Sequence, residues 1–397
     1  MRATIAGWAA GMRTPALLDG QAITCCSIAT KPPHPGAAQT AARSLGSAVT
    51  VEGLYGFERS ERVLILNTGG TIGMGPDATG ALAPLPVEEL IAHARPRDES
   101  EFGVTFASLR RPIDSSAMRP ADWLTIADAI VALAPGHSGV VVLHGTDTLA
   151  YTASALSFLL AGVDTPIVIT GAQRPIAERR SDAPQNLLTA CMIASPRTHG
   201  LPSIPEVCVW FNDKLLRGNR TSKVDADSYD GFASLNHPPL GHAGVTLRLD
   251  PPTIERSRGG LRRVGGVCSD VAAVRLHPGL TTASLEAILS QPGLRGVVIE
   301  AYGSGNGPTE PEFLAALRRA SDAGVVVVVI TECGAGFVRE GYYAAGAALF
   351  DTGAVPGADL TFEAALTKLM VLLDQQPPER VRELMLTPIA GEVTPDG

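Results

Sequence analysis

The chain has 397 residues, 45% of them hydrophobic, and a formal net charge of -8 at pH 7. That length and apolar content suit two domains of ordinary size with substantial cores, and exclude global disorder. The acidic balance excludes a general nucleic-acid binder, and no run of about 18 apolar residues marks a membrane-spanning helix.

Residues 1–60 are rich in Ala, Thr, Ser, Pro and Gly, and Asp19 is the only acid before Glu52. This stretch reads as a disordered N-terminal extension rather than an export signal or a transit peptide, because Ala3 to Met12 is weakly apolar and weakly flanked. From Arg62 the pattern becomes regular. Apolar runs at Val63–Leu66, Gly139–Leu143, Pro166–Ile169 and Val207–Phe211 predict buried strands, with Thr105 to Ile113 as a further strand-like stretch. Between them, Pro120 to Leu133, Thr148 to Leu160 and Ala183 to Ala194 predict helices, the first opened by its proline and the last by Ser181-Asp182. Alternating strands and helices imply an α/β fold with a mostly parallel sheet covered on both faces. Residues 61–250 form the expected catalytic domain.

Asp250-Pro251-Pro252 opens a Pro-, Arg- and Gly-rich stretch that reads as a linker over residues 251–266. A smaller α/β domain is expected over 267–397. Its strands are Val271 to Leu276, Gly296 to Glu300 and Val325 to Ile330, and its helices Thr281 to Leu289, Glu310 to Ala323 and Phe362 to Asp374. The six cysteines include no CxxC pair, so no zinc ribbon or redox motif is expected. Cys191, Cys208, Cys268 and Cys333 sit in or beside apolar runs and read as reduced core residues, which fits a reducing compartment.

A parallel sheet binds ligands at the carboxyl ends of its strands, so the segments that follow the apolar runs matter most. The first is Asn67-Thr68-Gly69-Gly70-Thr71. Its paired glycines allow a sharp turn that presents backbone N–H groups and the Thr71 hydroxyl; a phosphate cradle or a plain tight turn is the other reading. The second, His144-Gly145-Thr146-Asp147-Thr148, sets a hydroxyl beside a carboxylate where a strand ends and a helix begins, although Asp and Thr there also serve as helix caps. His144 reads as a structural residue. The third, Arg217-Gly218-Asn219-Arg220-Thr221-Ser222-Lys223, carries one of only four lysines in the chain. A lysine deprived of water accepts a proton from a neighbouring hydroxyl, whereas a surface lysine does nothing of the kind. In the fourth, Asp114-Ser115-Ser116, hydroxyls and N–H groups suit a carboxylate, or make an Asx turn. No GxSxG elbow and no HExxH or Cys/His cluster occurs, which argues against an α/β-hydrolase and against a metal.

The segments TGGTIGM, HGTDTLAYTASALSFLL, RGNRTSK and the closing GEVTPD resemble bacterial-type L-asparaginases, most closely the cytoplasmic type I branch. The resemblance runs from about Arg62 to Pro395. It implies two domains per subunit, a homodimer or dimer of dimers, a cytoplasmic location, no cofactor, and L-asparagine as substrate. It also implies Thr71 as nucleophile, with Thr146, Asp147 and Lys223 completing the catalytic set. Asp114, Ser115 and Ser116 would bind substrate, with Asp147 on the α-amino group. Backbone N–H groups of the Gly70 and Gly145 turns would hold the oxyanion. Many members place a tyrosine on the loop after TGGT; here that loop reads Gly80-Ala81-Leu82-Ala83, so Tyr343, then Tyr302, is the candidate to orient the nucleophile. Asn306, in Gly303-Ser304-Gly305-Asn306-Gly307, would either reach a neighbouring subunit's site or sit in a tight glycine turn. Glu300 stands where the branch's allosteric site has an arginine, near Ser222 and Cys333, so the same regulation is not expected. Two rivals share the motifs. One is an ammonia-supplying amidotransferase subunit, for which residues 1–60 look too short; the other is a non-catalytic amino-acid sensor.

Overall fold

The computed structural model describes residues 48–55, 61–76, 82–85, 89–90, 102–250, 260–339 and 344–394. Among the described residues nine strands build the large sheet: β1 (Val49–Tyr55), β2 (Arg62–Asn67), β3 (Gly103–Leu109), β4 (Gly139–Leu143), β5 (Ile167–Thr170), β6 (Val207–Phe211), β7 (Lys214–Arg217), β8 (Gly241–Ala243) and β9 (Leu247–Leu249). Their spatial order is β1-β3-β2-β4-β5-β6-β7-β8-β9. The five strands from β3 to β6 run parallel, and both flanks are antiparallel. The central strands are β-branched and apolar on both faces. Val63 and Ile65 of β2 point into one core, Leu64 and Leu66 into the other.

Among the described residues the helices α1 (Pro120–Leu133), α2 (Leu149–Leu159) and α3 (Ala183–Ala194) cover the sheet. Helix α3 supplies Leu187, Ala190 and Cys191 to one core, while α1 and α2 serve the other. Helix α2 is rich in Ala and Leu around its whole circumference and is buried on nearly every side, as a helix between two layers must be.

The second domain has four parallel strands in sequential order: β10 (Val271–Arg275), β11 (Gly296–Ala301), β12 (Val326–Thr331) and β13 (Val355–Pro356). Its helices are α4 (Thr282–Leu289), α5 (Pro311–Asp322), α6 (Ala344–Phe350), α7 (Phe362–Gln375) and α8 (Pro378–Met385). Leu285, Phe313 and Leu317 from α4 and α5 join Val297 and Ile299 in a core of its own. Helix α7 lies on the other face, where Ala364, Ala365 and Leu369 share one apolar core with α2 of the first domain. The two domains are thus joined by continuous packing. Among the described residues no helix is long and apolar enough to cross a membrane.

Three expectations change. Val49–Tyr55 lies inside the stretch expected to be disordered, yet forms an edge strand antiparallel to β3. The linker is expected over 251–266; its first part lies outside the described residues, and its second part is pinned to the first domain. There Arg262–Arg263 pairs with Leu160–Ala161, and Val264 N–H donates to Leu159 O at 2.8 Å. Cys191, Cys208 and Cys268 are buried free thiols, but Cys333 is exposed, because it stands past the end of β12 rather than inside it.

Candidate functional site

Three turns meet at the carboxyl ends of β2, β3 and β4, and glycine makes their contact possible. Gly69 and Gly70 adopt φ of 118° and 89°, a region that side chains strain. A Cβ on Gly70 would lie 2.3 Å from the Gly145 nitrogen, one on Gly69 would lie 2.4 Å from Ile113 O, and one on Gly145 would lie 2.4 Å from Ser115 Oγ. Hydrogen bonds lock the same approach. Thr68 N–H and Oγ1 both donate to Leu143 O, at 3.0 and 2.7 Å, and Ile113 N–H donates to Thr68 O at 2.8 Å. Thr71 follows Gly70 and Thr146 follows Gly145, so the contact between the glycines sets the two threonines' backbones side by side. Thr71 opens a single 3₁₀ turn, Thr71–Gly73, and is half-buried.

The third segment arrives by a hairpin. Asn212 and Asp213 have φ of 43° and 64°, as a two-residue turn between β6 and β7 requires. The chain then runs through Gly218–Arg220 into the short strand Ser222–Lys223. Lys223 Nζ donates to Thr146 Oγ1 at 3.1 Å and lies 2.8 Å from Asp147 Oδ1. The Lys223 side chain is 20% exposed and that of Asp147 62%, so the carboxylate is the outer member of the pair. The placement of Lys223 is enforced from behind. Arg220 ion-pairs with Asp359 at 2.7 Å and donates to Gly391 O, Asn219 Nδ2 donates to Ala390 O at 3.0 Å, and Ser222 Oγ donates to Glu363 Oε2 at 2.8 Å. Burial raises the Glu363 carboxyl above its ordinary range, with a smaller push from the charge of Glu300, against hydrogen bonds from Ser222 and Thr361 that pull it down. The closing segment is anchored in turn by Lys368 and Glu392, a fully buried pair 2.5 Å apart.

Asp114 makes the Asx turn that its sequence allows, accepting from Ser116 N–H at 3.0 Å. Ser115 is buried against Gly145, and its carbonyl accepts from Thr148 Oγ1 at 2.8 Å. Asp114 and Ser116 are exposed. The turns thus gather Gly70, Thr71, Ser115, Gly145, Thr146, Asp147 and Lys223. Tyr343 lies outside the described residues. Tyr302 and Asn306 pair with each other through their backbones, closing a tight turn after β11. Among the described residues no three His, Cys, Asp or Glu side chains are grouped to hold a metal ion.

Sequence reasoning missed what supports His144. Its ring is fully buried between Thr152 Oγ1, 2.9 Å from Nε2, and the Gly145 carbonyl, 2.7 Å from Nδ1. Thr152 in turn accepts from Trp123 Nε1–H at 3.1 Å. Burial lowers the His144 pKa to about 4, and so the ring is neutral. Trp123 and Thr152 lie on two different helices, and nothing in their spacing announces the contact.

Residues 62–254 match the family model described as "Asparaginase, N-terminal", and residues 270–385 match "Glutaminase/Asparaginase C-terminal domain". The chain is 40% identical over 347 residues to L-asparaginase 1 of Escherichia coli, covering 85% of this chain and 99% of that one. The crystal structure of L-asparaginase I from Vibrio cholerae superposes with a TM-score of 0.77 at 37% identity, covering 85% of this chain and 100% of that one. The thermostable L-asparaginase of Thermococcus kodakarensis gives the same TM-score at 34% identity, covering 84% of this chain and 100% of that chain. With both domains matched and the glycine turns interlocked as described, the chain belongs to the asparaginase family.

Proposed function

We propose that the protein hydrolyses the side-chain amide of L-asparagine to L-aspartate and ammonia through an acyl-enzyme on Thr71. The observation that carries this reading is the contact of Lys223 with both Thr146 and Asp147, next to the turn that presents Thr71. Asp147 is the outermost charge of the cluster and suits the α-ammonium of an amino acid. The Asp114–Ser116 turn offers hydroxyls and N–H groups to the α-carboxylate. The side-chain amide then falls between the two threonines.

In the first step the Thr71 oxygen attacks the amide carbon, and its proton leaves with ammonia. Backbone N–H groups of the Gly70 and Gly145 turns stabilise the oxyanion. In the second step water, polarised beside Thr146 and Lys223, attacks the Thr71 ester and frees aspartate. Tyr343 is assigned the task of orienting the nucleophile on sequence grounds. Domain units of 61–250 and 267–397, assembly as a homodimer or dimer of dimers, and a cytoplasmic location complete the reading.

Steady-state release of ammonia from L-asparagine and from L-glutamine tests it. The expected result is saturable release with asparagine preferred and one aspartate formed per ammonia. Absence of release from either amide, with asparagine bound and intact, would overturn it in favour of a sensor.

A further inference from the structure

His144 is wholly buried beside the site, and no step above uses it. Its hydrogen bonds can be satisfied in one arrangement. The Gly145 carbonyl oxygen only accepts, so Nδ1 carries the hydrogen that bridges their 2.7 Å separation. Nε2 of the neutral ring is then an acceptor, and the Thr152 hydroxyl donates to it across 2.9 Å. Trp123 Nε1–H only donates, and it fills the acceptor side of the same hydroxyl at 3.1 Å. The order Trp123, Thr152, His144, Gly145 therefore runs in a single direction, from donor to acceptor.

The consequence falls on the peptide between Gly145 and Thr146. All peptide bonds of the described residues are trans, and a trans peptide is planar with its C=O and N–H opposed. Holding the Gly145 carbonyl against the buried ring turns the Thr146 N–H away from that ring, on a residue whose hydroxyl already meets Lys223 Nζ. Among the described residues this N–H has no backbone acceptor. We propose that His144 is a positioning residue: with its tautomer set by Thr152 and Trp123, it aims the Thr146 N–H at the oxyanion formed when Thr71 attacks. This deepens the reading of the site given above and rests on it.

Two measurements on the full chain test the proposal. In the first, long-range nitrogen NMR of the histidine-labelled protein reads the ring directly, with His144 assigned by its loss in His144→Asn. The expected tautomer is protonated at Nδ1 and bare at Nε2; a ring protonated at Nε2 overturns the proposal whatever the activity. In the second, Thr152→Val removes the donor to Nε2 while keeping the shape. Loss of one oxyanion donor costs about 10²–10³ in kcat, so a misaimed one is expected to cost about ten- to a hundredfold. KM should stay within about threefold, since ground-state binding is untouched. His144→Asn, whose amide nitrogen takes the place of Nδ1, should keep more kcat than His144→Leu. A folded Thr152→Val protein with kcat within about twofold of the parent, or no difference between the two His144 variants, overturns the proposal. A parent protein that releases no ammonia overturns the reading of the site instead, while the tautomer still reports on this one.

Discussion

Lys223 Nζ and Thr146 Oγ1 stand 3.1 Å apart across 77 positions of the chain. The contact exists because β4 delivers Thr146 to one end of the sheet, while the β6–β7 hairpin and the turn after it return Lys223 to the same end. A positive charge is thereby fixed against a hydroxyl and beside a carboxylate, at the place where the TGGT turn is pressed against Gly145. Replacing Lys223 with Met removes the charge and keeps most of the length. The expected result is a fall in kcat of about a hundredfold or more in ammonia release, with a smaller change in KM. Lys223→Arg, whose planar fork does not match a single hydroxyl, should restore little.

The two threonines are expected to separate kinetically. Thr71→Ala should abolish turnover and leave no covalent intermediate. Thr146→Ala should slow hydrolysis of the intermediate and let it accumulate, visible as a burst of one ammonia per subunit in quenched flow. Near-parental turnover in both variants would contradict the assignment.

Asp147 is assigned to the α-ammonium group. Asp147→Asn should raise KM for asparagine by about ten- to a hundredfold, the worth of one charge-assisted hydrogen bond. The comparison that isolates the role uses succinamic acid, which lacks the amino group. Asparagine should be preferred by the parent protein, and that preference should nearly vanish in the variant. An unchanged preference would place the ammonium elsewhere.

The closing segment carries a stability prediction. Lys368 and Glu392 are both fully buried, and Lys368 also donates to Met385 O and Thr387 O. Glu392→Ala leaves a buried ammonium without its counter-charge and should cost about 3–5 kcal/mol in urea unfolding. The double change Lys368→Met with Glu392→Leu removes both charges and should recover most of that loss. Because Ala390 and Gly391 hold Asn219 and Arg220, the single change should also lower activity.

Much of this arrangement is legible in the sequence, and the illegible parts share a cause. Gly139–Leu143, Val207–Phe211, Pro120–Leu133 and Ala183–Ala194 occur where periodicity and caps put them, because each is long or apolar enough for burial to dominate. The flanks β1, β7, β8 and β9 went unread, since short edge strands owe their existence to a neighbour rather than to their own pattern. The Asn212-Asp213 pair was the local signal for the hairpin. At the site, Lys223 stood out through the scarcity of lysine and the hydroxyls beside it. Glu363 on α7, Thr152 on α2 and Trp123 on α1 carried no such mark, because their partners are brought to them only by packing between elements.

Acid should weaken the fold in a defined window. Burial lowers His137 and His144 to about 4, from 6.5 in the unfolded chain. Between those values the unfolded chain binds protons that the folded chain refuses, so stability rises with pH there. The contribution is complete above 6.5, falls through the window, and loses nothing more below about 4, at up to about 3 kcal/mol for each ring. His137→Gln, whose amide can donate to or accept from the Thr105 hydroxyl, should flatten part of this slope between about pH 7 and about pH 5 in urea titrations. An unchanged slope would show that His137 titrates freely.

The acyl-enzyme itself offers the most direct test. Asparagine is mixed with excess protein, quenched in acid within one turnover, and the digest is mapped by mass spectrometry. The account predicts an aspartyl ester on the peptide containing Thr71, absent in Thr71→Ala and enriched in Thr146→Ala. An adduct on Thr146, or turnover with no adduct in any of these proteins, would contradict it.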